Sequence, residues 1–161
     1  MTISVGDTLP DATLSKIGDA GPEAISTQEL TRGRKVVIFA LPGAYTPTCH
    51  TAHVPSFIRS MDQLRAKGVD EVVCVAVNDA HVMKAWGETT GATAAGITML
   101  SDGMGEFTEK LGLAFDVPAI GLKGRSRRYA MLVEDGVIKV YHPETGRGCE
   151  ISGGEAMVAA L

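Results

Sequence analysis

The sequence predicts an α/β sandwich, in which a mixed central β-sheet carries helices on both of its faces. Two continuous apolar runs, 36–41 and 71–77, are rich in β-branched residues, as strands buried on both faces are. The amphipathic stretch 56–67 between them predicts a helix, so the three segments form a strand–helix–strand unit with parallel strands. Near the end of the chain, Asp135-Gly136 between two apolar runs predicts a β-hairpin.

The N-terminal region predicts short extended pieces followed by a helix. Residues 1–25 contain turn signals at Gly18-Asp19 and at Gly21-Pro22. The S-x-x-E sequence that begins at Ser26 has the spacing of a capping box, which predicts that a short helix starts there.

The rest of the chain predicts three more helices, a short strand and the two strands of the hairpin. We expect helices over 80–88, 105–111 and 152–161, a strand over 97–100, and hairpin strands over 128–133 and 137–141. The last helix is expected to begin with a second capping box, formed by Ser152 and Glu155. This order of elements is typical of a thioredoxin-like fold, and we expect one domain over 1–161.

The net charge and the residue patterns argue against a nucleic-acid-binding protein, a membrane protein and a secreted protein. The formal net charge of −4 provides no basic surface for nucleic acid or an anionic membrane. The charge-free run 36–58 contains three prolines and two histidines, which a lipid-exposed helix would carry badly. The N-terminus has no signal-peptide pattern, and the three cysteines include no C-x-x-C pair. We therefore expect a cytoplasmic protein without disulfides, with no nucleic-acid or membrane partner.

The segment between the strand at 36–41 and the helix at 56–67 is the strongest candidate for an active site. It lies at the carboxyl end of a strand, where open α/β sheets place their sites. Pro47 suits the first helical position with Thr46 as N-cap, so Cys49 is expected in the first turn of a helix. Unpaired backbone N–H groups and the helix dipole favour a thiolate there.

A helix terminus alone is too weak to make that thiolate the main form. It stabilises an anion by at most about 2 kcal/mol, and an ordinary cysteine is only a few per cent thiolate at neutral pH. We therefore expect a cation near Cys49, drawn from a later basic cluster. The candidates are Lys123, Arg125, Arg127 and Arg128.

Four stretches of the sequence resemble one family of thiol enzymes. The P-x-x-x-T-x-x-C sequence of Pro42, Thr46 and Cys49, within PGAYTPTCHTAHVP, resembles the active-site loop of peroxiredoxins. The segments GVDEVVCVAVND (68–79), VMKAW (82–86) and GRSRRYAMLVEDG (124–136) are similar to the peroxiredoxin-5 subfamily, also called type II or atypical. These stretches occur in the family's order over nearly the whole chain.

The resemblance implies a thioredoxin-like fold and reduction of hydrogen peroxide or alkyl hydroperoxides, with Cys49 as the nucleophile that becomes a sulfenic acid. It implies that Thr46 binds the thiolate and the peroxide, that Pro42 shields them from water, and that Arg128 stabilises the transition state. It also implies a homodimer without a cofactor or metal. Glutathione with glutaredoxin, or thioredoxin, would be the reductant.

The resemblance leaves the roles of the other cysteines open. Cys74 lies in the middle of a predicted strand, where a buried, inert thiol is the simpler interpretation, although some type II members carry a resolving cysteine in this segment. Cys149 lies near the position of the resolving cysteine of atypical members, offset by about two residues, which on a strand keeps the same face. We favour a one-cysteine cycle.

Other roles for Cys49 compete with peroxide reduction. His53 lies one helical turn after Cys49, so it could polarise the thiol, or the pair could form a cysteine acyl-transferase or hydrolase. A packed, hydrogen-bonded histidine is an equally good interpretation of His53. A metal site formed by Cys49, His50 and His53 lacks a fourth ligand, and a non-enzymatic redox-regulated binding module would not need Thr46 or Pro42.

Overall fold

The computed structural model describes residues 2–146 and 148–161. In chain order the elements are β1 (Thr13–Gly18), β2 (Gly21–Ser26), α1 (Thr27–Thr31), β3 (Lys35–Ala40), a π-helical turn (Cys49–His53), α2 (Val54–Ala66), β4 (Glu71–Ala76), α3 (Ala80–Thr90), β5 (Thr98–Ser101), α4 (Glu106–Leu111), β6 (Ala114–Val117), a 3-10 turn (Pro118–Ile120), β7 (Leu122–Ser126), β8 (Tyr129–Glu134), β9 (Val137–Pro143) and α5 (Gly154–Ala160). The ends of the predicted helices and of the strands after residue 35 differ from these by only one or two residues.

The central sheet is mixed and has the strand order β2-β1-β5-β4-β3-β8-β9. Strand β4 pairs in parallel with β3 and with β5, whereas the other pairings are antiparallel. The predicted strand–helix–strand unit is therefore confirmed as β3, α2 and β4. Strands β6 and β7 form a separate hairpin that the sequence analysis did not predict.

Helices cover both faces of this sheet, as predicted. In β3, Val37 and Phe39 belong to the core that α2, α3 and α5 cover, whereas Val36 and Ile38 belong to the opposite core with α1 and α4. This alternation explains the continuous apolar run, because each side of the strand faces a packed layer. No helix within the described residues combines the length and the apolar character that crossing a membrane requires.

Local signals in the sequence were mostly correct, with two exceptions. Ser26 caps α1 by accepting a hydrogen bond from the Glu29 N–H at 3.0 Å. The predicted turn at Gly21-Pro22 is wrong, because both residues belong to β2 and the turn is completed before them.

The second capping box is also wrong. Helix α5 begins at Gly154 with Gly153 as its N-cap and without a side-chain cap. Ser152 does not cap α5, because its hydroxyl donates a hydrogen bond to the Glu144 carboxylate at 2.7 Å.

Candidate active site

The loop after β3 ends in a helix that starts as the sequence predicted. Pro47 is the first helical residue and Cys49 lies in the first turn, where the π-helical turn begins. The Thr46 carbonyl accepts from the His50 N–H at 2.9 Å, which fits the N-cap position. Its side chain does not cap the helix, because the Thr46 hydroxyl donates to the Gly43 carbonyl at 2.7 Å. The π-helical turn itself was not predicted, because apolar periodicity does not distinguish it from an α-helical turn.

Two side chains from other elements hold this loop in place. Asn78, just after β4, accepts a hydrogen bond from the Ala44 N–H at 2.9 Å. Arg125, on β7, donates to the Pro42 carbonyl at 3.0 Å. Pro42 and Thr46 are both half-buried, and the loop that carries them leads from the end of β3 into the helical turn of Cys49.

Of the basic cluster, Arg128 is the residue that reaches the thiol. Its Nη2 donates to the Cys49 Sγ at 3.4 Å, and both residues are buried. The neighbouring Arg127 is exposed, and its guanidinium lies over the Phe115 ring, 5.6 Å from the centroid. Arg125 contacts the loop backbone. The expectation of a cation beside Cys49 therefore agrees with the geometry, and Arg128 supplies it.

His53 lies behind the arginine, with both ring nitrogens in hydrogen bonds. Its Nδ1 is 3.0 Å from Nη1 of Arg128, and its Nε2 is 2.9 Å from the Ser152 carbonyl oxygen. Because the guanidinium only donates and the carbonyl only accepts, His53 is neutral and carries its proton on Nε2. Burial, and then the charge of Arg128, lower the pKa of His53 to about 3. His53 therefore orients Arg128 and has no nitrogen left to act as a base on Cys49.

The other two thiols have different surroundings. Cys74 is fully buried in β4, and burial, followed by the proximity of Cys49, raises its pKa well above the ordinary value. Cys149 is half-buried and lies 3.8 Å from the Ser152 hydroxyl. Burial raises the pKa of Cys149, although the Ser152 hydrogen bond and the charge of Arg128 oppose that effect.

No group of three metal-ligating side chains occurs within residues 2–146 and 148–161.

His50, the remaining histidine of the loop, accepts a hydrogen bond on Nδ1 from the Trp86 indole N–H at 2.9 Å. The Tyr45 ring stacks on His50 with a centroid separation of 5.8 Å, and the Tyr45 backbone has a φ of 64°, in the left-handed region. The aromatic group of Tyr45, His50 and Trp86 therefore closes the outer side of the loop.

Sequence reasoning missed Asn78, Trp86, Ser152 and Glu144. Asn78 follows the apolar run of β4 directly, so its place at the carboxyl edge of the sheet was a usable signal. Trp86 and Ser152 contact residues 36 and 99 positions away in the chain, which periodicity does not reveal. Glu144 contacts Ser152 only eight residues later, but no regular spacing marks that contact.

Comparisons with known proteins show which class of protein shares this sequence and fold. The Redoxin family model matches residues 4–158. Peroxiredoxin-2E-2, chloroplastic, from Oryza sativa subsp. japonica is 51% identical over 99% of this chain and 73% of its own length. Peroxiredoxin-2B from Arabidopsis thaliana is 42% identical over 99% of this chain and 98% of its own length. The crystal structure of reduced Prx3 from Vibrio vulnificus in complex with H₂O₂ superposes with a TM-score of 0.94, at 47% identity, covering 99% of each chain.

The fold is therefore thioredoxin-like, as predicted, and it carries a buried cysteine at the start of a helix. The chain belongs to the peroxiredoxins of the redoxin family. Its function is that of a thiol-dependent peroxidase, and the acyl-transferase and binding-module alternatives are not favoured. The relatives include a chloroplastic protein, so the expected cytoplasmic location is not confirmed.

Proposed function

We propose that Cys49 is the nucleophile of this peroxidase, that Arg128 is its direct partner and that Thr46, which makes no hydrogen bond to the sulfur, binds the peroxide. The observation that carries the proposal is the hydrogen bond from Arg128 Nη2 to Cys49 Sγ at 3.4 Å, inside a buried site. In a water-poor environment a guanidinium favours the thiolate strongly, because little solvent screens the two charges.

The reaction follows from this arrangement. The Cys49 thiolate attacks the terminal oxygen of a hydroperoxide, a sulfur–oxygen bond forms and the O–O bond breaks. Cys49 becomes a sulfenic acid, and hydroxide or an alkoxide leaves and takes up a proton. The guanidinium of Arg128, which has donors beyond those used by His53, stabilises the negative charge as it moves from sulfur to the leaving oxygen.

Thr46 and Pro42 shape the place where the peroxide binds. Because the Thr46 hydroxyl donates its proton to Gly43, its oxygen is available to accept a hydrogen bond from the peroxide O–H. We expect Pro42, which has no N–H and whose carbonyl is held by Arg125, to shield the thiol from water without offering a competing donor. These two contacts support a peroxide held in line with Sγ.

We propose a one-cysteine cycle in which a small thiol regenerates Cys49. Glutathione attacks the sulfenic acid, releases water and forms a mixed disulfide. Glutathione with glutaredoxin then restores the thiol. The raised pKa values of Cys74 and Cys149 support this choice, because a resolving thiol attacks as the thiolate. Thioredoxin would serve instead if a disulfide formed. A cytoplasmic homodimer is part of this proposal.

The test treats the reduced protein with one equivalent of hydrogen peroxide and maps the modified peptides by mass spectrometry. We expect consumption of the peroxide and one added oxygen, or its trapping adduct, on the Cys49 peptide. The Cys49→Ser variant should consume none, whereas Cys149→Ser should react like the wild type. A Cys49–Cys149 or Cys49–Cys74 disulfide would overturn the one-cysteine cycle, and absence of peroxide consumption would overturn the function itself.

A further inference from the structure

The Glu144 carboxylate, just after β9, collects an unusual number of hydrogen bonds. Its Oε2 accepts from three consecutive backbone N–H groups, those of Glu150 at 3.0 Å, Ile151 at 3.1 Å and Ser152 at 2.9 Å. The Ser152 hydroxyl adds a fourth at 2.7 Å. A single carboxylate therefore fixes the chain at residues 150–152, immediately before α5.

The segment that Glu144 fixes is the one that holds His53. The Ser152 carbonyl accepts the hydrogen bond from His53 Nε2 at 2.9 Å, and His53 Nδ1 accepts from Arg128 Nη1 at 3.0 Å. Glu144 is also joined to Arg128 through the backbone, because the Glu144 N–H donates to the Arg128 carbonyl at 2.9 Å. The contacts form a closed ring through Arg128, Glu144, Ser152 and His53.

We propose that Glu144 is a positioning residue for peroxide reduction, which acts through Ser152 and His53 to hold the Arg128 guanidinium on the Cys49 sulfur. The proposal deepens the proposed function and rests on it for the roles of Cys49 and Arg128. Glu144 itself does not touch the thiol or the peroxide, so its effect on the reaction passes through the guanidinium.

The chemistry of the ring favours a carboxylate at this position. All four donors converge on Oε2, and Oε1 lies 3.4 Å from the Ile151 N–H. A carboxylate carries no donor of its own and its charge strengthens each of these bonds, whereas an amide is neutral and would place an NH₂ group beside the Ile151 N–H. Desolvation opposes the charge, but the hydrogen bonds from Ser152, Ile151 and Glu150 outweigh it and lower the pKa of Glu144. The group is therefore ionised where the enzyme works, and its negative charge matches the donors around it.

The ring also explains why Ser152 fails to cap α5. Its hydroxyl and its N–H both donate to Glu144, and its carbonyl accepts from His53, so all three of its polar groups are already in hydrogen bonds. The N-terminus of α5 is secured instead by Gly154, whose N–H donates to the Ser56 hydroxyl at 3.0 Å. The spacing of Ser152 and Glu155 therefore coincides with a capping box without forming one.

The test compares Glu144→Gln with Glu150→Gln. The control removes the same charge from the same segment, but the Glu150 side chain is exposed and no hydrogen bond of the described residues uses it. The readout is the rate at which iodoacetamide alkylates the Cys49 peptide at neutral pH, together with the rate of peroxide reduction. We expect Glu144→Gln to lower both by about tenfold, because a displaced guanidinium no longer meets the sulfur. Glu150→Gln should match the wild type.

A double-variant cycle separates positioning from a general structural effect. In an Arg128→Lys background, Glu144→Gln should change the alkylation rate by less than about twofold, because the guanidinium it positions is already absent. Circular dichroism verifies the fold of each variant. If Glu144→Gln does not fold, Ser152→Ala removes one hydrogen bond of the ring and should cause a smaller, Arg128-dependent decrease.

Three results would overturn the proposal. They are wild-type alkylation in a folded Glu144→Gln protein, an equal decrease in Glu150→Gln, and a full tenfold effect that persists without Arg128. Alkylation does not involve peroxide. A protein that lacked peroxidase activity but showed the expected alkylation pattern would therefore refute the proposed function and leave the role of Glu144 toward Arg128 standing.

Discussion

Cys49 and Cys74 are both fully buried and belong to the same core cluster, yet their surroundings differ. Cys49 lies at the start of a helix and receives a hydrogen bond from Arg128. Cys74 lies in the middle of β4, between Phe39 on β3 and Met99 on β5, and burial raises its pKa. Burial alone therefore does not distinguish the two thiols as candidate nucleophiles. The donors that accompany burial do.

The difference follows from where each residue lies in the sheet. In the centre of β4 the backbone N–H groups are used by the neighbouring strands, so nothing remains to stabilise a negative sulfur. At the carboxyl end of β3 the chain leaves the sheet and starts a helix, whose first N–H groups are unpaired. The same burial thus favours the neutral thiol of Cys74 and leaves little solvent between Cys49 and Arg128.

The largest effect should come from replacing each of the two cysteines separately. We expect Cys49→Ser to lower the rate of peroxide reduction by at least about 10⁴-fold, because no other nucleophile is in place. Cys74→Ala should keep the rate within about threefold and lose only about 1–2 kcal/mol of stability from the core. Stopped-flow peroxide kinetics and urea denaturation measure both. Comparable losses of activity in the two variants would contradict the comparison.

The arginine contact is the next target, with its neighbour as a matched control. We expect Arg128→Ala to lower the rate by about 10²–10³-fold, since it removes a donor aimed at the developing charge. Arg127→Ala removes an equal charge one residue away, where the side chain is exposed over Phe115, and should change the rate by less than about twofold. Equal effects in the two variants would mean that general positive charge, not position, supports Cys49.

The lowered pKa of His53 should make the stability of the folded protein depend on pH. Burial, together with Arg128, lowers the pKa of His53 from 6.5 to about 3 in the folded chain. Below pH 6.5 the unfolded chain binds a proton that the folded chain does not. The free energy of unfolding therefore falls as the pH falls, by about 1.4 kcal/mol per pH unit until the pH approaches 3.

Urea denaturation between about pH 6.5 and pH 4.5 measures this contribution. The His53→Gln variant provides the reference, because carboxyl groups titrate alike in both proteins and cancel in the difference. We expect the wild type to lose about 2–3 kcal/mol more than the variant over that range. Parallel curves for the two proteins would indicate that His53 is charged in the folded state and does not accept from Arg128.

Thr46 should have the smallest effect on the reaction. We expect Thr46→Val to lower the rate of peroxide reduction by about tenfold, because the peroxide loses one acceptor. Thr46→Ser keeps the hydroxyl and should retain most of the rate. If Thr46→Val and Thr46→Ser reacted equally fast, the hydroxyl would serve only the Gly43 carbonyl and not the substrate.

Residues whose role depends on neighbours in the sequence were predictable. The apolar run of β3 indicated a strand buried on both faces, and Pro47 with Thr46 indicated the helix start that carries Cys49. Arg128 was reached through the family resemblance, because sequence spacing gives no reason to prefer it over Arg127. The structure separates the two by burial.

Residues whose role depends on contacts that no regular sequence spacing marks were not predictable. The sequence spacing of Ser152 predicts that its hydroxyl caps a helix, whereas in the structure that hydroxyl donates to Glu144. Only the folded chain decides between these two roles. The hairpin of β6 and β7 was missed because its strands are short and only partly buried, so their sequence alternation is weak.

Gly43 leaves room for the hydrogen bond by which Arg125 holds the Pro42 loop. A methyl group at position 43 would collide with the Nη1 of Arg125, the atom that donates to the Pro42 carbonyl, and its three nearest neighbours include neither the Cys49 thiol nor the Arg128 guanidinium. Because the displaced atom ends a flexible side chain, one added carbon would weaken the hydrogen bond between Arg125 and Pro42, whereas Asn78 Oδ1 and Thr46 Cγ2 lie at ordinary contact distances of 3.4 and 3.5 Å. The position of the Pro42 loop and the electrostatic surroundings of the sulfur therefore depend on different arginines, Arg125 and Arg128.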